Sequence, residues 1–180
     1  MPYAPVSYID PVFRPPSEAN SLILQVTNGC SWNKCTYCDM YTQPQKRFSV
    51  KPEEDVIKEI EWFSQNYSGI QRVFLADGDV ISLSPRRLLN ILNAIREYLP
   101  NVTRVASYCS PRNVSNKSDA DLKALYDAGL KLVYVGAESG DDFVLKSINK
   151  GDTHDSVVDS LNRLADAGIK RSVMIINGAG

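Results

Sequence analysis

The sequence has no long hydrophobic run, and none of its apolar stretches approaches the roughly 20 residues that a membrane-spanning helix requires. Its first segment, MPYAPVSYIDPVFRPP, also lacks the basic residues followed by an apolar run that are typical of a secretory signal. These two absences give no indication of a membrane or secreted protein. We therefore expect a cytoplasmic protein.

Charge of a single sign is also missing. Twenty Lys and Arg residues against 21 Asp and Glu residues give a formal net charge of -1, and the sequence contains no run of about five or more basic residues. A broad surface that attracts nucleic acid or an anionic membrane is therefore not expected.

Cysteine is scarce, with four residues in 180, which is too few for a disulfide scaffold. Three of the four, Cys30, Cys35 and Cys38, lie within nine positions of one another. In a reducing compartment such clustering indicates metal or redox chemistry. The cysteines are therefore the first candidates for a functional site.

The rest of the sequence alternates strand-like and helix-like segments. Amphipathic helical patterns with recognisable ends separate five short apolar runs. The runs predict buried strands at residues 22–26, 72–76, 104–108, 131–135 and 172–176. Repeated βα units indicate a parallel sheet with right-handed crossovers, either doubly wound or curled into a barrel. We expect an extended arm over residues 1–20 and one core domain over residues 21–180.

Ligands of both architectures bind beyond the carboxyl ends of the strands. The segments that follow the five predicted strands share small and polar residues. These segments are 28–30, 77–79, 109–112, 136–140 and 177–178. By contrast, the turns that lead into the strands are short and plain. We therefore expect the functional groups to lie at one end of the sheet.

The cysteines lie in a segment of about twenty residues, from Asn28 to Phe48, which has no clear period and is long for a βα loop. Their C-x4-C-x2-C spacing allows a compact loop to gather three thiolates at one metal centre. Three thiolates leave a coordination position open, as in catalytic metal sites. Two alternatives remain. One is a [2Fe-2S] electron-transfer protein that uses the distant Cys109. The other is a zinc-bound interaction or nucleic-acid module, which requires a fourth ligand close to the cluster.

The segment TNGCSWNKCTYCDMY, placed after the first predicted strand, resembles the cluster loop of the radical S-adenosylmethionine (radical SAM) superfamily. In that superfamily three loop cysteines hold a [4Fe-4S] cluster. The resemblance continues through VFLADGDVISLS and VGAESGDDFVLKSINKG and covers roughly residues 20 to 180. One departure is that four residues, instead of the common three, separate the first two cysteines.

The resemblance implies a parallel (β/α) partial TIM-type barrel of six units, of which this sequence supplies about five strands. It also implies an iron-sulfur enzyme in which the cluster reductively cleaves S-adenosylmethionine (SAM) to a 5′-deoxyadenosyl radical, which then abstracts hydrogen from a substrate. The sequence does not identify the substrate or a catalytic residue. An electron donor such as ferredoxin or flavodoxin is implied as a partner.

The resemblance assigns Cys30, Cys35 and Cys38 as cluster ligands, and Tyr37 matches the aromatic residue that precedes the third cysteine. Contacts with SAM are implied for residues that follow the second, fourth and fifth strands. These residues are Asp77, Gly78, Asp79, Glu138, Ser139, Asn177 and Gly178. Each group also has a purely structural interpretation, because Asp and Gly favour turns and acidic residues favour the start of a helix.

The sequence ends after the fifth predicted strand without a helix to cover it. An apolar edge from Val173 to Ile176 would then be exposed, and exposed edges favour association. We therefore expect a fragment, catalytically incomplete by itself, or a half-barrel that another chain completes by association at this edge.

Overall fold

The computed structural model describes residues 4–179. Seven strands lie within these residues. They are β1 (Leu22–Gln25), β2 (Thr27–Asn28), β3 (Ser49–Val50), β4 (Arg72–Ala76), β5 (Arg104–Cys109), β6 (Leu130–Glu138) and β7 (Lys170–Ile175). Five of them, β1, β4, β5, β6 and β7, form one parallel sheet, and β2 pairs with β3 in a separate antiparallel ladder.

In the same range, 4–179, six α-helices connect the strands. They are α1 (Glu53–Asn66), α2 (Pro85–Tyr98), α3 (Pro111–Ser115), α4 (Asp119–Asp127), α5 (Asp142–Ser147) and α6 (His154–Asp166). Side-chain caps fix where several of them begin, because the first backbone N–H groups of a helix need acceptors. Ser84 caps α2, and Ser118 and Thr153 form capping boxes at α4 and α6.

The order of the strands in the sheet follows their order in the chain, β1-β4-β5-β6-β7, with no reversal. With right-handed crossovers, such an order places every connecting helix on the same face of the sheet. A doubly wound sheet would need a reversal of strand order to cover both faces. The architecture is therefore the predicted partial (β/α) barrel, and each of the five predicted sheet strands is confirmed within a few residues.

The main hydrophobic core fills the space between the sheet and its helices. Leu24 and Leu75 of the strands pack there with Ile60 of α1 and Leu92 of α2, and all four are at most 1% exposed. A smaller cluster covers the inner face of the sheet and contains Phe74 and Tyr134. The helices thus shield one face, and side chains of the strands themselves fill the other, as in a barrel interior.

The described part of the N-terminal arm lies against the sheet and includes one 3-10 turn, Pro16–Glu18. Glu18 is fully buried and accepts from Arg104 Nη2 at 2.6 Å and from the Tyr134 hydroxyl at 2.7 Å. Because Arg104 is the first residue of β5, this contact anchors the arm at the amino end of the sheet.

Two structural features were not predicted from the sequence. The β2/β3 ladder has only two residues per strand, and α3 has only five residues, so neither is long enough to show a hydrophobic period. Among the helices of residues 4–179, none is sufficiently long and apolar to cross a membrane.

Candidate functional site

The three clustered cysteines lie in the loop of residues 29–48, which we call the cysteine loop. It connects β2 to β3, so the antiparallel pairing of Asn28 with Ser49 holds its two ends together. The Asn28 side-chain amide crosses the same gap and donates to the carbonyl oxygens of Gln45 at 2.7 Å and Arg47 at 2.9 Å. The loop is therefore closed at its base, although it contains little regular structure.

Gly29 allows this tight closure. Its φ of +69° lies in the left-handed region, and a Cβ at this position would overlap the backbone carbonyl oxygen of Lys46. A residue with a side chain would therefore force the two ends of the loop apart next to Cys30.

A cavity of about 270 Å³ opens between the cysteine loop and the sheet. Cys30, Cys35 and Cys38 all line it, and each is partly exposed. Gly78 lines it as the second residue after β4, and Glu138 lines it as the last residue of β6. The cavity thus lies at the carboxyl end of the parallel sheet, where the sequence placed the functional groups.

Burial raises the pKa of each of the three loop thiols. The cationic groups of Lys150 and Arg112 act in the opposite direction on Cys35 and favour its thiolate. A thiolate is the form that binds metal. Both cations line the same cavity, so the site combines three thiols with positive charge beside them.

Within residues 4–179, no three His, Cys, Asp or Glu side chains are arranged to hold one metal ion. A tetrahedral zinc site with Zn–S bonds of about 2.3 Å needs sulfur atoms about 3.8 Å apart. Thiolates that bind different irons of one cluster are spread more widely. In the described residues the three cysteines share one cavity without forming a ready-made site for a single metal ion.

The two carboxylates of Asp77 and Asp79 are fully buried and do not line the cavity, whereas Gly78 between them does. Asp77 Oδ2 accepts from Gly29 N at 3.4 Å and forms an ion pair with the fully buried Lys46. Burial raises the pKa of both aspartates, and hydrogen bonds oppose that rise. The Asp77 carboxylate therefore contacts both ends of the cysteine loop.

Asp79 Oδ1 accepts from Asn113 Nδ2 at 2.6 Å, and its other oxygen accepts from the Ser31 hydroxyl. Gly78 is in contact with the Tyr41 ring, since a Cβ on Gly78 would lie only 2.5 Å from Tyr41 Cε2. The absence of a side chain at this position lets the Tyr41 ring pack directly against the backbone between the two aspartates.

Charged side chains of both signs also line the cavity. Lys150 Nζ donates to Glu138 Oε1 at 3.2 Å, and both residues are at most 9% exposed. The Arg112 guanidinium carbon lies 3.9 Å from the centroid of the Trp32 ring, and Arg112 also forms a 3.3 Å ion pair with Asp152. Trp32 belongs to the cysteine loop, so its stacking on Arg112 joins the loop to α3. The ion pair between Arg112 and Asp152 extends this connection to the segment that follows α5.

Of the remaining predicted site residues, one lines the cavity and three do not. Tyr37 lines the cavity, and burial together with Glu138 and Cys35 raises the pKa of its phenol. The Ser139 hydroxyl accepts from Asp141 N at 3.1 Å, just before α5. Asn177 and Gly178 are exposed beyond β7. Ser139, Asn177 and Gly178 do not line the cavity, although they follow strands at the same end of the sheet.

Several lining residues were not identified from the sequence, including Tyr108, Tyr134 and Met174. The sequence of β6 contained a signal for Tyr134. Tyr134, Gly136 and Glu138 are spaced two residues apart, as residues on one face of a strand are, and all three line the cavity. Cys109 lines it as well, but it is 4% exposed, and burial raises the pKa of its thiol to about 12.

Comparison with known proteins places these observations in a family. The sequence model described as the Radical SAM superfamily matches residues 24–180. The chain is 29% identical over 147 residues to an uncharacterized methyltransferase of Pyrococcus horikoshii, covering 82% of this chain and 30% of that protein. It is 24% identical over 154 residues to a putative methylthiotransferase of Methanocaldococcus jannaschii, covering 83% and 33%. The chain therefore spans about a third of the length of these two curated relatives.

Solved structures show the same fold. The cobalamin-dependent S-adenosylmethionine radical enzyme OxsB, with aqua-cobalamin and S-adenosylmethionine bound, superimposes with a TM-score of 0.73 at 18% identity, over 87% of this chain and 24% of that chain. The radical S-adenosylmethionine methyltransferase TsrM from Kitasatospora setae, with cobalamin and a [4Fe-4S] cluster bound, gives 0.64 at 21% identity, over 86% and 30%. With the family match over residues 24–180, the chain belongs to the radical SAM superfamily.

Proposed function

We propose that this chain is the cofactor-binding core of a radical SAM enzyme, in which Cys30, Cys35 and Cys38 hold a [4Fe-4S] cluster and the adjoining cavity binds SAM. The bound cluster would supply the electron that cleaves SAM reductively to a 5′-deoxyadenosyl radical, which takes hydrogen from an unidentified substrate. One observation carries the proposal: three cysteines of one loop line a single cavity at the carboxyl end of a partial barrel.

The charged lining of the cavity matches the charges of SAM. We assign the Glu138 carboxylate to the amino group of SAM, and the cations Lys150 and Arg112 to its carboxylate. The ion pair between Lys150 and Glu138 keeps both side chains in place. Opposite charges in a partly enclosed site attract more strongly than in water, which favours one orientation of the ligand.

The other predicted contacts form the rest of the proposed site. Tyr37 is close to both Cys35 and Glu138, and we propose that it covers the cluster side of the cavity. Gly78 lines the cavity beside β4 and is proposed to contact SAM through its backbone. Ser139, Asn177 and Gly178 are proposed to reach the ribose and adenine end of SAM from the ends of β6 and β7.

The reaction needs an external source of one electron. We propose a reduced ferredoxin or flavodoxin as donor, and the cytoplasm as the compartment, since reducing conditions keep the cluster thiols free of disulfides. The division into an arm over residues 1–20 and a core from residue 21 stays part of this proposal.

A further part of the proposal concerns the last strand of the sheet. Among the described residues β7 pairs only with β6, and Val173, Met174 and Ile175 are 43%, 37% and 66% exposed. We propose that another strand, from a longer chain or from a second copy, covers this edge. Light scattering after gel filtration should show self-association of this 180-residue chain that Ile175→Lys reduces. A monomer that Ile175→Lys leaves unchanged would contradict the proposal.

Iron analysis after anaerobic reconstitution tests the ligand assignment. Replacing Cys30, Cys35 or Cys38 with Ala should abolish bound iron and sulfide, because each replacement removes one of only three protein ligands. Cys109→Ala is the matched control, since Cys109 lines the same cavity but is 4% exposed. It should retain the iron content of the unmodified chain. Loss of the cluster in Cys109→Ala would favour the four-cysteine electron-transfer alternative.

A further inference from the structure

The two aspartates on either side of Gly78 direct their carboxylates away from the cavity and toward the cysteine loop. Asp77 Oδ2 accepts from the backbone N–H of Gly29, the residue before Cys30, at 3.4 Å. The same oxygen pairs with the ammonium of Lys46, near the other end of the loop. A single carboxylate oxygen therefore contacts both ends of the segment that carries the three cysteines.

Lys46 extends this connection to the N-terminal arm. Its ammonium also donates to the carbonyl oxygen of Ile9 at 2.9 Å, and the whole side chain is fully buried. The arm, the end of the cysteine loop and the end of β4 thus meet at one buried ion pair.

Asp79 makes the corresponding contact on the other side of Cys30. It accepts from the hydroxyl of Ser31, the residue that follows Cys30, and from Asn113 of α3 at 2.6 Å. Gly29 and Ser31 are the two neighbours of Cys30 in sequence, and each is bonded to one of the two aspartates. The position of Cys30 is therefore fixed from both sides by the residues that follow β4.

We propose that Asp77 and Asp79 are positioning residues that attach the cysteine loop to the end of β4 and set the position of Cys30 before any cluster binds. Burying two carboxylates is unfavourable unless each has partners, and both sets of partners lie in or beside the cysteine loop. The importance of this attachment for catalysis rests on the proposed function. The attachment itself is a property of the chain without its cluster.

Hydrogen exchange measured by mass spectrometry on the cluster-free 180-residue chain tests the proposal. Asp77→Leu should accelerate exchange of amides in residues 29–48 about tenfold or more. The loop then opens more easily, because it no longer has to break the contacts of Asp77 with Gly29 and Lys46. Ser31→Ala, which leaves both aspartates and Asn113 in place, should accelerate exchange around Cys30 and lower the unfolding midpoint less than Asp77→Leu does, because Asp79 keeps its bond from Asn113.

The matched control is Glu18→Gln, which breaks another ion pair of a fully buried carboxylate, at the amino end of the sheet. It should lower the unfolding midpoint without accelerating exchange in residues 29–48. The double variant Lys46→Met with Asp77→Leu should restore the midpoint, since no unpaired charge stays buried. Amide exchange in the cysteine loop of this double variant should nevertheless remain fast. Fast exchange at a restored midpoint cannot result from a change in global stability alone.

A cysteine loop that exchanges in Asp77→Leu at the rate of the unmodified chain would overturn the proposal. It would also be overturned if Asp77→Leu weakened SAM binding to the reconstituted protein while exchange in residues 29–48 stayed slow, because Asp77 would then act on SAM itself. If the variants loosen the loop but the unmodified chain binds no iron and sulfide, the positioning role stands and the proposed function fails.

Discussion

Breaking the ion pair between Lys46 and Asp77 should destabilise the protein more than any exposed ion pair. Both side chains have no exposed surface, so either partner left alone is a charge without water or a counter-ion. Removing one partner of a buried pair costs about 3–5 kcal/mol. A domain of this size has a free energy of unfolding of about 5–15 kcal/mol, so each single variant loses a large share of it.

The double variant should behave differently from the sum of the single ones. Asp77→Leu leaves Lys46 with the Ile9 carbonyl as its hydrogen-bond acceptor, and Lys46→Met leaves Asp77 Oδ2 with the Gly29 N–H as its donor. When both residues are replaced by apolar side chains, neither charge is buried, and stability should return to within about 1–2 kcal/mol of the original. The coupling energy of the pair should therefore be at least about 3 kcal/mol.

Urea unfolding at pH 7 under reducing conditions, followed by tryptophan fluorescence and far-UV circular dichroism, measures the four free energies. The Lys123–Asp127 pair of α4 is the control, because its side chains are 56% and 58% exposed and should couple by well under 1 kcal/mol. If each single variant lost less than about 1 kcal/mol of unfolding free energy, and these losses were additive in the double variant, Lys46 and Asp77 would not be a strongly coupled buried pair.

Two further predictions concern other parts of the molecule. Gly29→Ala should reduce the iron bound after reconstitution by more than half, because a Cβ at φ +69° overlaps the Lys46 carbonyl oxygen; iron content equal to that of the unmodified chain would contradict this. Burial opposes ionisation of Glu18, but hydrogen bonds from Ser21, Tyr134 and Arg104 outweigh it and lower its pKa. The ionised Glu18 carboxylate therefore contributes its full stabilisation above the unfolded-state pKa of about 4.3. This stabilisation is lost as the pH falls through the lower pKa of the folded state. Thermal melts should show Glu18→Gln less stable than the unmodified chain at pH 7 and the difference shrinking below pH of about 4; a difference independent of pH would count against the assignment.

The sheet and most of its helices were predictable because local signals determine them. Apolar runs such as that of β4 are long enough to identify, and caps such as Ser84 fix helix starts. The cysteine loop was predictable from spacing alone. In each case the information lies within a few neighbouring residues, which a single sequence displays directly.

The orientation of Asp77 and Asp79 was not predictable in the same way. The sequence places them at the ligand-binding end of the sheet, which suggests contact with SAM. Their partners Lys46 and Ser31 are 31 and 48 positions away, and only the folded chain brings them together. A fully buried lysine is also rare, so nothing in the sequence marks Lys46 as interior.

The most direct test of the central claim is the electron paramagnetic resonance spectrum of the anaerobically reconstituted and reduced chain, recorded with and without SAM. We expect the signal of a reduced [4Fe-4S] cluster whose shape changes when SAM is added, because three cysteine ligands would leave one iron without a protein ligand. A two-iron spectrum that SAM does not alter would contradict the account.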